Sequence, residues 1–282
     1  MVAVQPAGRR LPGSLLRYLT LIAGAVILAG PFFYMLSTSL KGQLYSFEFP
    51  PRFIPAHPTV QNFVRAWTSN SFGIYFANSL LVALATTVTV VVLTAMMAYA
   101  FARFQFAGKN LLYYTMLAMM MMPAMMLIIP QFVFASRLGL LNKLSGLVVV
   151  YAAGGMAFNT FLLRGFFEQL PRELEEAVLI DGGGYFTIFT RIILPLSTPA
   201  LATVAIFSFL GAWDEYVWAL TVINEAAKRT LPIAIANFQG QHASDWGLVF
   251  AASLIAVIPV LVVYLCMQRY FVQGLTAGAV KG

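Results

Sequence analysis

Residues 176–195 read EAVLIDGGGYFTIFTRIILP and lie between two hydrophobic stretches, each long enough to cross a lipid bilayer. The segment begins with an acidic residue, is broken by consecutive glycines at 182–184, and ends at Pro195. Because glycine and proline both interrupt helices, this pattern predicts two short helices with a bend between them. We call residues 168–195 the elbow and expect it to join two membrane spans outside the lipid.

The composition places the rest of the chain in a membrane. Of 282 residues, 60% are hydrophobic and only 10% are charged, a balance typical of integral membrane proteins. The single cysteine, Cys266, excludes a disulfide framework and a thiol metal cluster, and its apolar surroundings indicate a packing residue. The net charge of +7 comes from scattered Lys and Arg. They form no patch interleaved with aromatic residues, so no nucleic-acid partner is predicted.

Six apolar segments reach spanning length, each about 30 Å or more as a helix. They are residues 16–36, 78–101, 111–133, 144–164, 198–223 and 247–268. The first resembles a signal peptide in position, but its apolar run is longer and has no convincing cleavage pattern, so we interpret it as a retained span.

The positive charges predict an orientation for these spans. With the N-terminus inside, ten of the seventeen Lys and Arg fall on cytosolic segments. This bias predicts that both termini and the elbow are cytosolic. The expected organisation is a cytosolic segment at 1–15, a six-helix transmembrane domain at 16–268 and a cytosolic tail at 269–282.

The elbow itself predicts a short amphipathic helix that starts near Pro171, because proline suits a first helical turn. Carboxylates in the early turns meet the positive end of the helix dipole. A second short helix is expected over residues 185–193. The early carboxylates are Glu173, Glu175 and Glu176, and the predicted apolar stripe is Leu174, Ala177 and Val178. Such a segment either lies on lipid headgroups or fits a protein socket, and its acidity favours the socket.

The spacing within residues 176–195 resembles the signature EAA-x3-G-x9-I-x-L-P of bacterial ABC importer permeases. Each anchor matches except Val178, where the family has alanine. The resemblance implies that the elbow is a coupling helix, which sits in a cleft on a separate ATPase subunit and passes its closure to the spans. Glu176 would be the motif glutamate, Ala177 the small packing residue and Gly182 the hinge. The residues implied in coupling are Glu175, Glu176, Ala177, Asp181, Gly182, Ile192, Leu194 and Pro195.

Further segments, 98–103, 138–141, 173–177 and 274–282, resemble the maltose-type carbohydrate subfamily of these permeases. The resemblance implies an all-α membrane protein of type I importer architecture in the bacterial inner membrane. Its implied partners are a second homologous permease, a dimer of ATP-binding subunits and an extracytoplasmic solute-binding protein. It implies no cofactor on this chain, with ATP and Mg on the ATPase subunits. The C-terminal tail is either a regulatory contact or a frayed terminus.

Polar residues within the spans are candidates for the substrate pathway, since they are costly in lipid and usually face a cavity or another helix. Trp213, Asp214 and Tyr216, with neighbouring Glu215, form either an interfacial aromatic belt or a sugar-passing surface. Gln131 and Asn159, like Asn78, line the pathway or join helices by hydrogen bonds.

The third apolar segment combines prolines with methionines. Pro123 and Pro130 predict a kink, because proline frees backbone carbonyls. The methionine run at 116–126 suits either a copper path or adaptable packing, and packing is favoured because no cysteine or histidine continues the path. The two histidines, His57 and His242, fall in predicted outer loops, and no metal site is expected.

The sequence is compatible in outline with three classes of membrane protein: an importer subunit, an ion-driven transporter and an enzyme. The chain has no phosphate-binding G-x-x-x-x-G-K-[ST] loop, so an importer subunit would take its energy from a separate ATPase. An ion-gradient-driven transporter would use Asp214 or Glu215, but no inverted repeat is visible. A membrane-embedded enzyme would need a catalytic motif that the sequence lacks. The importer is therefore the favoured function, for a sugar or alternatively for glycerol phosphate or another non-sugar solute.

Overall fold

The computed structural model describes residues 11–42, 53–69, 71–239 and 245–279. The prediction for His242 lies outside these residues, as do positions 1–10 of the predicted cytosolic segment and 280–282 of the predicted tail. Within the described ranges the predicted all-α class is confirmed. In chain order the helices are α1 (Leu11–Ser39), α2 (Gln61–Thr68), α3 (Phe72–Arg103), α4 (Lys109–Met119), α5 (Ile128–Arg137), α6 (Leu144–Phe167), α7 (Glu173–Ile180), α8 (Tyr185–Ile188), α9 (Leu194–Leu196), α10 (Thr198–Trp213), α11 (Val217–Val222), α12 (Leu231–Asn237) and α13 (Trp246–Ala279).

Four of these helices are long and apolar enough to cross a membrane. They are Leu16–Ser39 within α1, all of α3, all of α6, and Trp246–Arg269 within α13. Two further pairs of helices reach spanning length only if each bent pair is counted as one span. The described residues therefore contain four to six candidate spans.

The third predicted span, residues 111–133, is not one helix. α4 ends at Met119, and the segment Ala124–Arg137, a 3₁₀ turn followed by α5, bends from it by 99°. The break lies at Pro123, which has no N–H to donate and disfavours a helical conformation in the residue before it. Pro130 falls in the first turn of α5, where its missing N–H has no helical acceptor. Only Pro123 therefore marks the predicted kink.

The fifth predicted span, residues 198–223, is also interrupted. α10 ends at Trp213 and α11 begins at Val217. The carboxylate of Glu215 accepts hydrogen bonds from the backbone N–H groups of Trp218 at 2.7 Å and Ala219 at 3.0 Å. An acidic side chain that satisfies these otherwise free donors stabilises the start of a new helix.

The chain divides into two compact units, residues 1–67 with 238–255, and residues 68–237 with 256–282. In the first unit, the side-chain amide of Asn62 donates to the backbone oxygens of Ser39 at 2.9 Å and Lys41 at 2.7 Å. Arg65 forms a salt bridge with Asp245 at 3.1 Å. These contacts tie α2 to the end of α1 and to the start of α13. His57 is exposed, as predicted for a loop residue.

In the second unit, α3 packs against α6 and α10. Small buried side chains lie along all three helices and let their backbones approach closely. Larger ones, such as Leu163 and Phe167, fill the remaining space. The small residues are Ala95, Ala98 and Ala102 on α3, Ala152 on α6, and Ala200 on α10.

A glycine at the start of α6 provides a test of this packing. A Cβ on Gly146 would lie 2.1 Å from the backbone oxygen of Leu140. We expect Gly146→Ala to lower the free energy of unfolding by about 1–3 kcal/mol, because the overlap is with backbone, which cannot rotate away. The thermal midpoint of the detergent-solubilised protein measures this loss.

Gly165→Ala, in the same helix, is the matched control. A Cβ there meets no atom within 4 Å, and alanine is the better helix former. Equal midpoints for the two variants would contradict the packing described for Gly146.

Candidate functional site

The elbow begins with α7, an eight-residue helix that follows Pro171. Its first turn holds the three carboxylates Glu173, Glu175 and Glu176. They lie near the free N–H groups of the helix start and the positive end of its dipole, where a negative charge is stabilised. The predicted short acidic helix is confirmed.

α7 ends in a Schellman motif, a turn that closes a helix with two backbone hydrogen bonds. The N–H of Gly183 donates to the C=O of Val178 at 2.8 Å, and the N–H of Gly182 donates to the C=O of Leu179 at 3.1 Å. Gly182 has φ +79°, a conformation that costs other residues about 1–2 kcal/mol. A Cβ on Gly183 would lie 2.5 Å from Cγ1 of Val178. Both glycines are therefore needed for the bend.

The second half of the elbow is helical up to α10, but its middle turn is wide. A π turn over Phe189–Ile193 separates α8 from α9, and the N–H of Leu194 donates to the C=O of Phe189, five residues back. The next residue, Pro195, has no N–H. Leu194 packs against the hydrophobic core and Ile192 is half-buried, whereas Pro195 is exposed.

A buried salt bridge anchors the elbow to the end of α3. Arg103 Nε lies 2.5 Å from Glu175 Oε1, and the two side chains are only 6% and 13% exposed. Arg103 also donates from Nη2 to the backbone oxygen of Leu170 at 2.8 Å. The hydroxyl of Tyr99, one turn earlier on α3, donates to the backbone oxygen of Tyr185 at 3.3 Å. Both halves of the elbow are thus attached to α3.

The opposite side of the elbow is exposed. Ile180 is 86% exposed and Phe186 is 77% exposed. Acidic and apolar side chains alternate there, whereas a helix lying on anionic lipid would carry Lys and Arg. We call this surface the outer face of the elbow. It comprises Glu173, Leu174, Glu176, Ala177, Ile180, Asp181 and Phe186.

The predicted apolar stripe of Leu174, Ala177 and Val178 is divided between two surfaces. Val178 packs against the core, whereas Leu174 and Ala177 are exposed. The reason is that α7 is held to the protein through Glu175 and Val178, which are one turn apart. The helix is therefore rotated so that Leu174 and Ala177 belong to the outer face.

The residues predicted for coupling thus divide into two groups. Glu176, Ala177 and Asp181 lie on the outer face. The others hold the elbow in place or shape its turns, and Pro195 is exposed where the elbow meets α10. That inner group is Glu175, Gly182, Ile192 and Leu194. Arg103 was not among the predicted residues, although the segment 98–103 resembles the carbohydrate subfamily and ends with it.

A second candidate site is a cavity of about 450 Å³ in the second unit. It is lined by residues of α3, α6, α10 and the broken third and fifth spans. Gln131 and Asn159, both predicted for the substrate pathway, line it together. Asn159 is buried and donates from Nδ2 to the backbone oxygen of Gly155 at 2.9 Å. Glu215 also lines the cavity and accepts a hydrogen bond from the hydroxyl of Tyr151 at 2.5 Å.

The remaining pathway candidates do not line this cavity. Trp213 is buried, stacks on Phe209 with ring centroids 5.7 Å apart, and donates from Nε1 to the backbone oxygen of Ala256 at 3.2 Å. Asp214 and Tyr216 are exposed in the break between α10 and α11. A substrate role for these three stays a prediction.

Asn78 has a structural position instead. Its side-chain amide donates to the backbone oxygens of Ala227 and Arg229, each at 2.9 Å. It therefore holds the segment between α11 and α12 against the start of α3.

No group of three or more His, Cys, Asp or Glu that could hold a metal occurs among the residues that the structure describes. Met119 to Met122 are exposed on the surface of this chain, and Met125 lines the cavity.

Cys266 is exposed rather than packed, in contrast to the expectation from its apolar surroundings. An apolar run in a membrane span includes residues that face lipid as well as residues that face the core.

The sequence of the chain is similar to a known family and to several described proteins. The sequence model of one family, described as binding-protein-dependent transport system inner membrane component, matches residues 90–277. The diacetylchitobiose uptake system permease protein NgcG of Streptomyces coelicolor is 36% identical over 265 residues, which cover 93% of this chain and 87% of that protein. The trehalose/maltose transport system permease protein MalG of Thermococcus litoralis is 36% identical over 279 residues, which cover 95% of this chain and 98% of that protein.

Comparison of structures gives the same fold. A chain in the crystal structure of a bacterial ABC transporter that imports the acidic polysaccharide alginate matches with a TM-score of 0.82. The match covers 95% of this chain and 100% of that one, at 24% sequence identity. It shows that this chain and that chain of the transporter share one fold.

The buried salt bridge between Arg103 and Glu175 leads to a stability prediction. Glu175→Gln keeps the shape of the side chain but leaves the charge of Arg103 buried without its counter-ion. We expect the free energy of opening of the elbow to fall by about 3–5 kcal/mol. Hydrogen exchange of the α7 amides in the purified protein measures this change.

Glu168→Gln is the matched control, because it removes the pair that Glu168 forms with Arg164 four residues earlier at 2.8 Å. Glu168 is half exposed, so its loss should change the opening free energy by less than about 1 kcal/mol. Equal exchange in the two variants would show that the Arg103–Glu175 pair does not anchor the elbow.

Proposed function

Because this chain belongs to the family of binding-protein-dependent transport system inner membrane components, we propose that it is one permease subunit of an ATP-driven sugar importer, with the elbow as its lever. The observation that carries this proposal is that one side of the elbow is fixed to the protein while the other side is exposed. Its inner side is fixed to α3 through Arg103 and Glu175, and its outer face is exposed and available to a partner.

Family membership confirms the predicted class of protein. The chain is a multi-pass transport subunit of the inner membrane and not an enzyme, and in such transporters the ATPase is a separate subunit. A secondary transporter driven by an ion gradient has no support from these relationships.

The relatives support a sugar as the solute. One is described as a permease for diacetylchitobiose and another as a permease for trehalose and maltose. We infer that this chain serves a related sugar. The alternative within the same family is an importer for glycerol phosphate or another non-sugar solute.

The contacts of the elbow suggest how force would reach the spans. Closure of two ATPase subunits around ATP and Mg would move the outer face. The Arg103–Glu175 salt bridge and the hydrogen bond from Tyr99 to Tyr185 would pass this movement to α3. Since α3 packs against α6 and α10, the three helices would rock together between inward-open and outward-open states.

The proposed topology has six spans, with both termini and the elbow in the cytosol. Four spans are single helices. In this proposal the bent pair of Lys109–Met119 and Ala124–Arg137 forms the third span. α10 forms the main part of the fifth span and is bent by 77° from the helical segment Tyr185–Leu196 of the elbow. In this arrangement residues 1–15 form a cytosolic segment, residues 16–268 the transmembrane domain, and residues 269–282 a cytosolic tail that is either a regulatory contact or a frayed terminus.

The proposed assembly contains three kinds of protein partner besides membrane lipid. A second, homologous permease would complete the translocation pathway as a heterodimer. An ATPase dimer would bind the two elbows, and a solute-binding protein outside the membrane would deliver the sugar. The family's description as binding-protein-dependent supports the last of these.

Substitutions in the elbow test its role in coupling. We expect Glu176→Lys, which reverses a charge on the outer face, and Gly182→Val, which strains the turn at φ +79°, to uncouple uptake from ATP hydrolysis. Membrane insertion should be retained. ATP-driven uptake by the assembled transporter in proteoliposomes should fall by about 5- to 150-fold, the range of typical coupling energies.

Gly184→Ala is the control for the glycine substitution. It belongs to the same triplet, but its φ is −100° and a Cβ meets no atom within 4 Å. We expect normal uptake in this variant. Normal uptake in both Glu176→Lys and Gly182→Val would remove the coupling role of the elbow.

The topology is tested by cysteine accessibility in a Cys266→Ser background. A thiol at position 176 should react with a membrane-impermeant maleimide only in inside-out vesicles, because the elbow is cytosolic. A thiol at position 228 should react only in right-side-out vesicles. Labelling of position 176 from the outside would exclude the proposed orientation and the coupling role together.

A further inference from the structure

Four buried polar atoms around the cavity have no hydrogen-bond partner in the part of the chain that the structure describes. They are Thr86 Oγ1, Asn159 Oδ1, Ser208 Oγ and Trp218 Nε1, and all four residues line the cavity. Native proteins leave few such atoms unpaired. The described residues contain eleven such atoms, and four of them gather around this one cavity: two hydroxyls, one acceptor and one donor. This grouping indicates an occupant that both donates and accepts hydrogen bonds.

The behaviour of neighbouring threonines shows that Thr86 is an exception. A threonine within a helix commonly donates to the backbone oxygen four residues earlier. On α3, Thr87, Thr89 and Thr94 all do so, at 2.6 to 2.8 Å. Thr86 and Ser208 have no such bond. Their hydroxyls are therefore available to a ligand after a local rotation of the side chain.

The shape of the cavity is set by two glycines and an aromatic wall. Gly154 on α6 and Gly211 on α10 both line it, and a Cβ on either would meet no atom within 4 Å. Phe158 and Phe207 pack edge to face with centroids 6.1 Å apart, and both line the cavity with Trp218. Aromatic rings offer large apolar surfaces, and a volume of about 450 Å³ lies within the range of small-molecule sites, about 300–1,000 Å³.

The charge that lines the cavity is negative only. Glu215 is the one charged residue among those that line it, and no Lys or Arg does so. Its carboxylate is held by the hydroxyl of Tyr151 and by the backbone N–H groups of Trp218 and Ala219. An anionic solute would therefore lose its hydration near a fixed carboxylate and would find no cation, which is unfavourable.

We propose that this cavity is a solute site within this chain, that it accepts uncharged, hydroxyl-rich rings, and that it rejects anionic solutes. Thr86, Asn159, Ser208 and Trp218 would hydrogen-bond to solute hydroxyls, and the aromatic wall would contact the apolar face of a ring. The inference rests on the proposed function and narrows it, since it excludes glycerol phosphate. The fold alone does not make this distinction, because the solved transporter with the same fold imports an acidic polysaccharide.

The fluorescence of Trp218 reports binding without selection by a solute-binding protein. The assembled transporter in detergent is titrated with trehalose, maltose and diacetylchitobiose as neutral probes, and with glycerol 3-phosphate and glucuronate as anionic probes. We expect a saturable change with at least one neutral sugar and none with either anion. The change should be lost in Trp218→Phe, which assigns the signal to the cavity.

Substitutions that fill the cavity provide a second test of the proposal. Gly154→Leu and Gly211→Leu place a side chain in space that is open in this structure. We expect each to weaken the affinity for the neutral sugar, measured by the fluorescence titration, by about tenfold or more, because the added side chain would occupy space that the solute needs. Gly165→Leu is the control on α6, since its Cβ position is also open but the residue does not line the cavity.

The outcomes separate this inference from the proposed function. A response to none of the neutral sugars, an equal response to an anion, or an unchanged response in both filled variants overturns the inference. ATP-driven uptake and ATP hydrolysis in the unmodified transporter test the proposed function independently. Normal coupling together with an empty or anion-accepting cavity would leave the importer in place and remove only the solute site.

Discussion

The buried salt bridge between Arg103 and Glu175 is the interaction on which the functional architecture depends. Removing two charges from water costs free energy that their attraction often only balances, so such a pair adds little net stability. Losing one partner is far more costly, because the other charge stays buried. The pair therefore contributes mainly by fixing the position of α7, and little by adding net stability. It fixes which side of α7 faces α3, and so it also determines which side chains form the outer face.

α3 connects the two candidate sites of the chain. Arg103 at its end holds the elbow, and Thr86, seventeen residues earlier, lines the cavity. At 1.5 Å per residue the two positions are about 25 Å apart along one helix. Because α3 packs against α6 and α10, the three helices would move together under the proposed function. A displacement of the elbow would then also displace one wall of the cavity, without a chain of separate side-chain rearrangements.

The sequence predicted those features that depend on local chemistry. Gly182 and the acidic first turn of α7 were predicted because a turn residue and a helix dipole act within a few positions. The anchor was not predicted, because Arg103 and Glu175 are 72 positions apart and no local pattern links them. The break at Asp214 was missed for a related reason: residues 198–223 are apolar enough for one span, and Glu215 starts α11 only through its side-chain hydrogen bonds. The cavity likewise depends on which faces of separate helices meet.

The π turn over Phe189–Ile193 has a consequence for how this region tolerates changes in length. A π turn contains one more residue than the α-helical turn it replaces. Deleting a single residue there would convert it into an ordinary turn and leave α10 in its present rotational register. Adding a residue would instead turn every following side chain by about 100° about the helix axis, which is one residue's share of a 3.6-residue turn. The signature's nine-residue spacing between Gly182 and Ile192 runs into this turn, so keeping that spacing also keeps the wide turn and the rotational setting of α10.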